Sequence, residues 1–204
     1  MHNIFGNKNN FAIEYELDSS SEDSTYGYIH IWINGIDICE YNQNQKCECN
    51  MYSIIEWFCN KIEFILGYDV FPLPIEGNTA LELIEKADKY EDDNMLEFDL
   101  WYAAKSRWVF NHCWFSARDG AVLPSVYFRR IKENIEISWD NTFWERNNII
   151  FNSKKDVCLI ESKMFVRILT EFLFSGVKHL ENKVGNKEGI DIMRKQLVIL
   201  DENE

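Results

Sequence analysis

The chain has 204 residues, 46% of them hydrophobic and 15% aromatic, which suffices for a folded core and excludes a disordered chain. Its formal net charge of −13 arises in the first half, where residues 1–100 carry 5 basic and 20 acidic side chains, and this balance excludes a general nucleic-acid binder. There is no run of about 18 apolar residues and no signal-peptide pattern at the start, so we expect a cytoplasmic protein without a membrane partner.

The N-terminal region predicts a three-stranded antiparallel meander. Apolar and acidic residues alternate over 11–18, which is typical of a half-buried strand. A second strand is predicted over 28–33, and the Asn34-Gly35 dipeptide that follows it is the strongest short signal for a hairpin turn. The chain then returns as a third strand over 36–41.

Helical spacing of apolar residues begins at Met51 and predicts an amphipathic helix over 51–66. Two further helices are predicted over 79–90 and 97–113. Strands return at 125–131 and 135–139, on either side of a Lys132-Glu133-Asn134 turn. The remaining predicted elements are strands over 148–151 and 156–160, a long helix from Ser162 and a last helix over 187–199.

These elements predict an α+β fold with antiparallel sheets only. It consists of two β units, built from a meander or hairpins, and each unit is followed by packed helices. The N-terminal unit would span residues 1–95 and the C-terminal unit residues 96–204. The sequence is equally compatible with one continuous domain, and with either a monomer or a homodimer.

Six cysteines are spaced irregularly along the chain, at positions 39, 47, 49, 59, 113 and 158. Structural zinc sites pair their cysteines at short spacings, usually C-x2-C, and often carry a histidine at a matching offset. None of the cysteine spacings in this chain fits that pattern. We therefore expect free thiols, no disulfide, no metal and no cofactor.

Four short segments near the N-terminus form a pattern of their own: 4–8 (IFGNK), 11–16 (FAIEYE), 27–28 (GY) and 31–35 (IWING). Together they resemble family 42 of the immunity proteins of bacterial polymorphic-toxin systems. The resemblance covers the N-terminal third only, and it departs from the family at 37–39, where Asp-Ile-Cys stands in place of a small residue. It implies a bacterial protein that binds a cognate toxin and neutralises it by occlusion, without being an enzyme.

An acidic N-terminal half suits a basic toxin, because complementary charge raises the association rate and selects the partner. The alternative is that the acidic surface only keeps the protein soluble. The predicted partner-binding residues are acidic and aromatic side chains of the meander, namely Glu14, Glu16, Trp32, Asp37, Glu40 and Tyr41. Glu14 and Glu16 lie two positions apart and share a strand face. With Ala12 and Tyr15 turned to the core, this acidic pair would face solvent.

A polar cluster in the C-terminal unit supports an alternative function. Its members are Arg107, His112, Arg118, Arg129 and Arg130. Arginine binds carboxylates and phosphates through paired hydrogen bonds, and histidine exchanges protons near neutral pH. The cluster would therefore suit a small-ligand-binding or catalytic module of a bacterial anti-phage defence system.

Two observations weigh against that alternative. The sequence contains no nucleophile elbow, metalloprotease helix, P-loop or dinucleotide-binding turn, and we do not expect an enzyme. The same basic side chains would also serve a structural role, in which they pair with Asp119, Glu136 and Asp140 and cap helix ends.

Overall fold

The computed structural model describes residues 2–18, 24–90, 94–185 and 187–201. Within these residues the chain forms two antiparallel sheets with helices packed against them, and the predicted α+β class is confirmed. In the same part of the chain, no helix combines the length and the hydropathy that crossing a bilayer requires.

The first sheet has five strands: β1 (His2–Asn7), β2 (Phe11–Leu17), β3 (Tyr26–Ile33), β4 (Ile36–Asp37) and β5 (Cys47–Asn50). β2 pairs with β1 on one side and with β3 on the other, while β4 and β5 share the far edge of β3. Asn34 and Gly35 form the predicted turn and both have positive φ, 51° and 84°. The third strand was predicted to reach position 41 and ends at Asp37, because the Asp37 carboxylate accepts the N–H of Cys39 and turns the backbone.

Three helices follow the first sheet. They are α1 (Met51–Leu66), α2 (Ala80–Asp88) and α3 (Met95–His112), each within about two residues of its predicted bounds. Each has a capping side chain at its N-terminus, from Asn50, Thr79 and Asn94 respectively. These caps satisfy backbone N–H groups that the first turn of a helix leaves without partners.

The second sheet is a three-stranded meander of β6 (Val126–Ile131), β7 (Asn134–Asp140) and β8 (Lys155–Glu161). Two helices complete the chain, α4 (Ser162–Glu181) and α5 (Lys187–Asp201). The strand predicted over 148–151 is wrong. A short 3₁₀ helix (Thr142–Asn147) precedes it, Asn148 takes a left-handed φ of 58°, and Phe151 forms only an isolated bridge to Tyr41.

One apolar core contains buried residues from both sides of the predicted boundary at 95/96. Helices α1 and α4 pack against each other and against both sheets. The ring of Phe58 on α1 lies 5.4 Å from that of Phe128 on β6 and 6.0 Å from that of Phe172 on α4. A smaller second core, which contains Phe71, Leu83 and Trp108, lies between α2, α3 and the connection that precedes α2.

Gly6 and Gly35 both adopt positive φ, but only Gly6 is crowded. A Cβ at Gly6 would lie 2.4 Å from the carbonyl oxygen of Phe11, whereas the nearest atom to a Cβ at Gly35 is 3.9 Å away. We expect Gly35→Ala to cost about 1–2 kcal/mol from the left-handed conformation alone, and Gly6→Ala to cost a further ~1–3 kcal/mol from the clash. Urea denaturation of both variants measures the difference, and equal losses would contradict this account.

All six cysteines are free, and only Cys158 is partly accessible to solvent. Burial raises the pKa of the Cys59 thiol to about 12 and that of Cys113 to about 11. Since the thiolate is the reactive form, these two thiols are protected from reagents in two ways: they are buried, and they stay protonated.

We therefore expect a thiol reagent at about pH 8 to label one cysteine of the folded protein, Cys158, and all six after unfolding in denaturant. Mass spectrometry of the labelled protein gives both numbers. Fewer than six labels in the unfolded, unreduced protein would show that a disulfide forms.

Candidate functional site

The register of β2 on β3 gathers polar residues on one face of the first sheet. Glu14 lies opposite His30, Glu16 lies opposite Tyr28, and Trp32 lies opposite Asp37 of β4. We call this surface the polar face and define it by Glu14, Glu16, His30, Trp32 and Asp37. It thus contains four of the six residues that the sequence predicted to bind a partner.

The other face of β2 packs on the core through Phe11, Ile13 and Tyr15, all of which are buried. Tyr15 lies 5.7 Å from the ring of Phe172 on α4, as a core residue should. Ala12 was expected on that side with Tyr15 and is instead on the side of Glu14. Strand side chains alternate, so residues 12 and 15 point to opposite faces.

The sequence analysis expected Glu14 to face solvent. In the structure it is buried and only 2% exposed. Its Oε2 accepts hydrogen bonds from Lys8 Nζ at 2.5 Å and Trp32 Nε1 at 2.7 Å, and Lys8 Nζ also lies 4.1 Å from the centre of the Trp32 ring. Burial disfavours the charged carboxylate, but the hydrogen bonds from Lys8 and Trp32 outweigh it, and the pKa of Glu14 is lowered overall. Glu14 is thus a buried, compensated carboxylate.

His30 and Asp37 form a second buried polar pair on this face, and each is 5% exposed. His30 Nδ1 lies 2.6 Å from Asp37 Oδ2, and the other Asp37 oxygen accepts the N–H of Cys39 at 2.9 Å. The second ring nitrogen of His30, Nε2, is buried and has no hydrogen-bond partner among the described residues. One potential ligand atom from each of Glu14, Glu16 and His30 lies within 4.8 Å of the other two.

The remaining predicted partner residues are more accessible, but they do not form one patch. Glu16 is half-buried and lies 3.0 Å from Lys46 Nζ. Glu40 and Tyr41 lie in the loop between β4 and β5, where the Tyr41 ring lies 5.4 Å from that of Phe151, which precedes β8 of the second sheet. The structure therefore separates Glu40 and Tyr41 from the polar face, and it withdraws Glu14 and Asp37 from solvent.

The Arg/His cluster is distributed over separate environments. Arg107 is exposed on α3. His112 is buried at the end of the same helix, its Nδ1 lies 2.9 Å from the Trp108 carbonyl oxygen, and burial lowers its pKa. Arg118 packs among the rings of Phe115, Phe143 and Trp144 and donates a hydrogen bond to Ser125 Oγ at 2.8 Å.

Arg129 and Arg130 are consecutive residues of β6 and point to opposite faces of the sheet. Arg129 Nε lies 2.6 Å from Oε2 of buried Glu136, whose Oε1 accepts the N–H of Ala80 in the first turn of α2. Arg130 donates a hydrogen bond to the carbonyl oxygen of Leu66, the last residue of α1. These contacts match the structural role that the sequence analysis weighed, although Asp119 and Asp140 bond to Asn50 and Lys155 instead.

A further surface was missed by the sequence analysis. Helix α3 carries large apolar side chains in solvent, among them Leu96 at 70% exposure, Leu100 at 65% and Phe110 at 48%. The exposed residues Leu96, Leu100, Ala103, Arg107 and Phe110 are spaced four and three residues apart in alternation, so they form one line along the helix, which we call the α3 stripe. The opposite side of α3 packs on the second core through Trp108. The sequence signal for such a surface is that apolar residues of the helix are not confined to the one side that packs on the core.

The charges around the α3 stripe are acidic at its N-terminal end. Glu97 and Asp99 are exposed there, and residues 91–93, which lie outside the described residues, are also acidic in the sequence. Lys105 lies 2.8 Å from Asp88 of α2 and 5.0 Å from the centre of the Trp101 ring. This lysine therefore links α3 to α2, and because Asp88 neutralises its charge, it contributes little positive charge to the stripe.

The Arg129–Glu136 pair provides a test of the structural interpretation of the arginines. Arg129→Ala leaves a fully buried carboxylate without its cation, and we expect a loss of about 3–5 kcal/mol of unfolding free energy. Arg107→Ala, at an exposed position, is the matched control and should change stability by no more than about 0.5 kcal/mol. Chemical denaturation compares the two variants. Similar stabilities for both would argue that Arg129 is available for another role.

Protein-family models, curated proteins and solved structures offer no match to this chain. The resemblance to the immunity proteins therefore rests on the four N-terminal segments alone. All four segments lie in the first sheet, in β1, β2, β3 and the β3–β4 hairpin, and so they contribute to the sheet that carries the polar face.

Proposed function

We propose that this chain is an immunity-type protein, which binds a cognate toxin and neutralises it by occlusion. The observation that carries the proposal is the α3 stripe, a line of exposed apolar side chains, interrupted by Arg107, on a helix whose other side packs on the second core. Large exposed apolar side chains that lie next to one another are typical of protein-docking surfaces. Leu96, Leu100 and Phe110 would be the anchors that a partner covers.

The charge around the stripe favours a basic partner. Glu97 and Asp99 border the N-terminal half of the stripe. Both belong to the acidic first half of the chain, in which residues 1–100 carry 20 acidic and 5 basic side chains. An amphipathic helix with a basic flank is the simplest structure that would cover both the apolar line and the acidic border. The acidic charge would raise the association rate, and the apolar anchors would slow dissociation.

In this proposal the polar face contributes less to partner binding than the sequence analysis predicted. Glu14 is buried in an ion pair with Lys8 and Asp37 is buried in a hydrogen bond with His30, so a partner would not contact them directly. Glu16, Trp32 and Glu40 are half-buried and would serve at the rim of a contact. The arginines of the alternative ligand site are each bonded within the protein or exposed singly, and this favours occlusion over catalysis as the mode of action.

The test uses the product of the gene adjacent to this one as the candidate toxin. We expect a Leu96→Lys/Leu100→Lys double variant to weaken binding at least 30-fold, which corresponds to roughly 2 kcal/mol or more at buried anchors, and to abolish protection on co-expression. Leu159→Lys, at another exposed apolar position on β8, is the matched control and should bind normally. Circular dichroism checks that every variant is folded.

A charge-reversal variant separates steering from anchoring. We expect Glu97→Lys/Asp99→Lys to slow association and to weaken its salt dependence, at a cost of about 1 kcal/mol or less per site. Full binding by the Leu96→Lys/Leu100→Lys variant would contradict the docking surface. If the wild-type protein is a dimer that the same variant converts to a monomer, with no toxin bound by either, the stripe belongs to self-association and the proposal fails.

A further inference from the structure

His30 is the least satisfied polar residue on the polar face. It is 5% exposed, its Nδ1 is engaged by Asp37 at 2.6 Å, and its Nε2 has no hydrogen-bond partner among the described residues. A buried imidazole nitrogen without a partner loses its hydration and gains nothing in return. Two carboxylates lie near the His30 ring: one oxygen of Glu14, one oxygen of Glu16 and one ring nitrogen of His30 all lie within 4.8 Å of one another.

We propose that Glu14, Glu16 and His30 form a binding site for a divalent zinc ion, with Asp37 as the residue that orients the histidine. Asp37 holds Nδ1 of His30, which leaves Nε2 as the ring nitrogen available to a metal. Histidine ligands of zinc commonly have a carboxylate on the other ring nitrogen, which fixes the orientation of the ring and raises its basicity. In the first sheet, that carboxylate is on β4, the histidine on β3 and the two glutamates on β2.

The geometry requires only a small contraction. Zinc binds nitrogen and oxygen at about 2.0–2.2 Å, so ligand atoms in a tetrahedral site lie roughly 3.3–3.6 Å apart. The three atoms here lie within 4.8 Å of one another, so the side chains would have to move by roughly 1 Å to bind the ion, and the half-buried Glu16 side chain has more room to do so than buried Glu14 and His30. The three protein ligands leave the fourth position of a tetrahedral ion for water.

Lys8 occupies the position of a counter-cation in the absence of metal. Its ammonium group lies 2.5 Å from Glu14 Oε2, and its side chain is 35% exposed, so it is free to swing into solvent when a metal replaces it. Glu16 has a cation of its own, since Lys46 Nζ lies 3.0 Å from its Oε1, so a divalent ion would replace a lysine at each of the two carboxylates. Metal and Lys8 therefore compete for Glu14, and removal of the lysine should strengthen metal binding.

The donor set selects the class of metal. One imidazole and two carboxylates suit zinc, whereas magnesium and calcium prefer oxygen donors throughout. The site uses none of the six cysteines, on which the expectation of no metal depended. The Cys47 thiol donates a hydrogen bond to the carbonyl oxygen of Cys39, and no cysteine belongs to the group of potential ligands formed by Glu14, Glu16 and His30.

The experiment measures zinc binding to the purified, metal-stripped protein by calorimetry and by the shift in melting temperature. We expect one equivalent of zinc, about 10–100-fold weaker binding for Asp37→Asn and Glu16→Gln, and no detectable binding for His30→Gln. Lys8→Met should bind more tightly than the wild type. Glu48→Gln is the matched control, because Glu48 is an exposed glutamate opposite Tyr28 in the same sheet and lies outside the site.

Cobalt substitution distinguishes this site from one formed by cysteines. We expect the visible bands of a cobalt ion with oxygen and nitrogen ligands, without thiolate charge transfer. Thiolate bands, zinc binding that Glu16→Gln and Lys8→Met leave unchanged, or no zinc binding by the wild type would each overturn the proposal. Glu16 is half-buried and Lys8 is partly exposed, so these two variants should remain folded and informative even if His30→Gln does not. Because the measurement needs no toxin, it succeeds or fails independently of the proposed function.

Discussion

The burial of Phe58 joins the two sheets into one core. Its ring contacts Phe128 of the second sheet and Phe172 of α4, and Phe172 lies against Tyr15 of the first sheet. Aromatic rings at these distances contribute both buried area and oriented contacts, so the position of each sheet depends on the other. Helices α1 and α4 approach closely at Gly176, where a Cβ would lie 2.5 Å from Cδ1 of Ile55. The two β units that the sequence separates at 95/96 are thus packed through shared helices.

This arrangement leaves α3 at the periphery. The large core is filled by α1, α4 and α5 together with the two sheets, and α3 covers only the smaller core around Trp108. One side of α3 is held by packing and by the Lys105–Asp88 pair, while the α3 stripe faces solvent. A rigid helix that exposes leucines has already lost much of the conformational entropy that binding would cost, which favours association with a partner.

Three buried polar pairs differ in how completely they are satisfied. Glu136 bonds to both Arg129 and the backbone of α2, and this is a structural solution that fixes a helix against the second sheet. Glu14 is compensated by Lys8 and Trp32, but Lys8 is partly exposed and therefore exchangeable. His30 is oriented by Asp37 and keeps one ring nitrogen without a partner among the described residues. Because a buried polar group is costly until it is bonded, the incomplete pair is where a ligand is most favoured.

The sequence alone determined the elements whose signals are local. Alternation over 11–18, the Asn34-Gly35 turn and the helical spacing after Met51 all depend on neighbouring residues. They predicted the α+β class, the hairpin order of β2, β3 and β4, and the five α-helices nearly at their observed bounds, but not strands β1 and β5 of the same sheet. Alternation also placed Glu14 and Glu16 on one face. Only the tertiary structure decided that Lys8 and Trp32 cover Glu14, that His30 lies against Asp37, and that Leu96 and Leu100 of α3 remain largely in solvent. These features depend on strand register and on which helices fill the core, and a single sequence does not encode such long-range pairings in any local pattern.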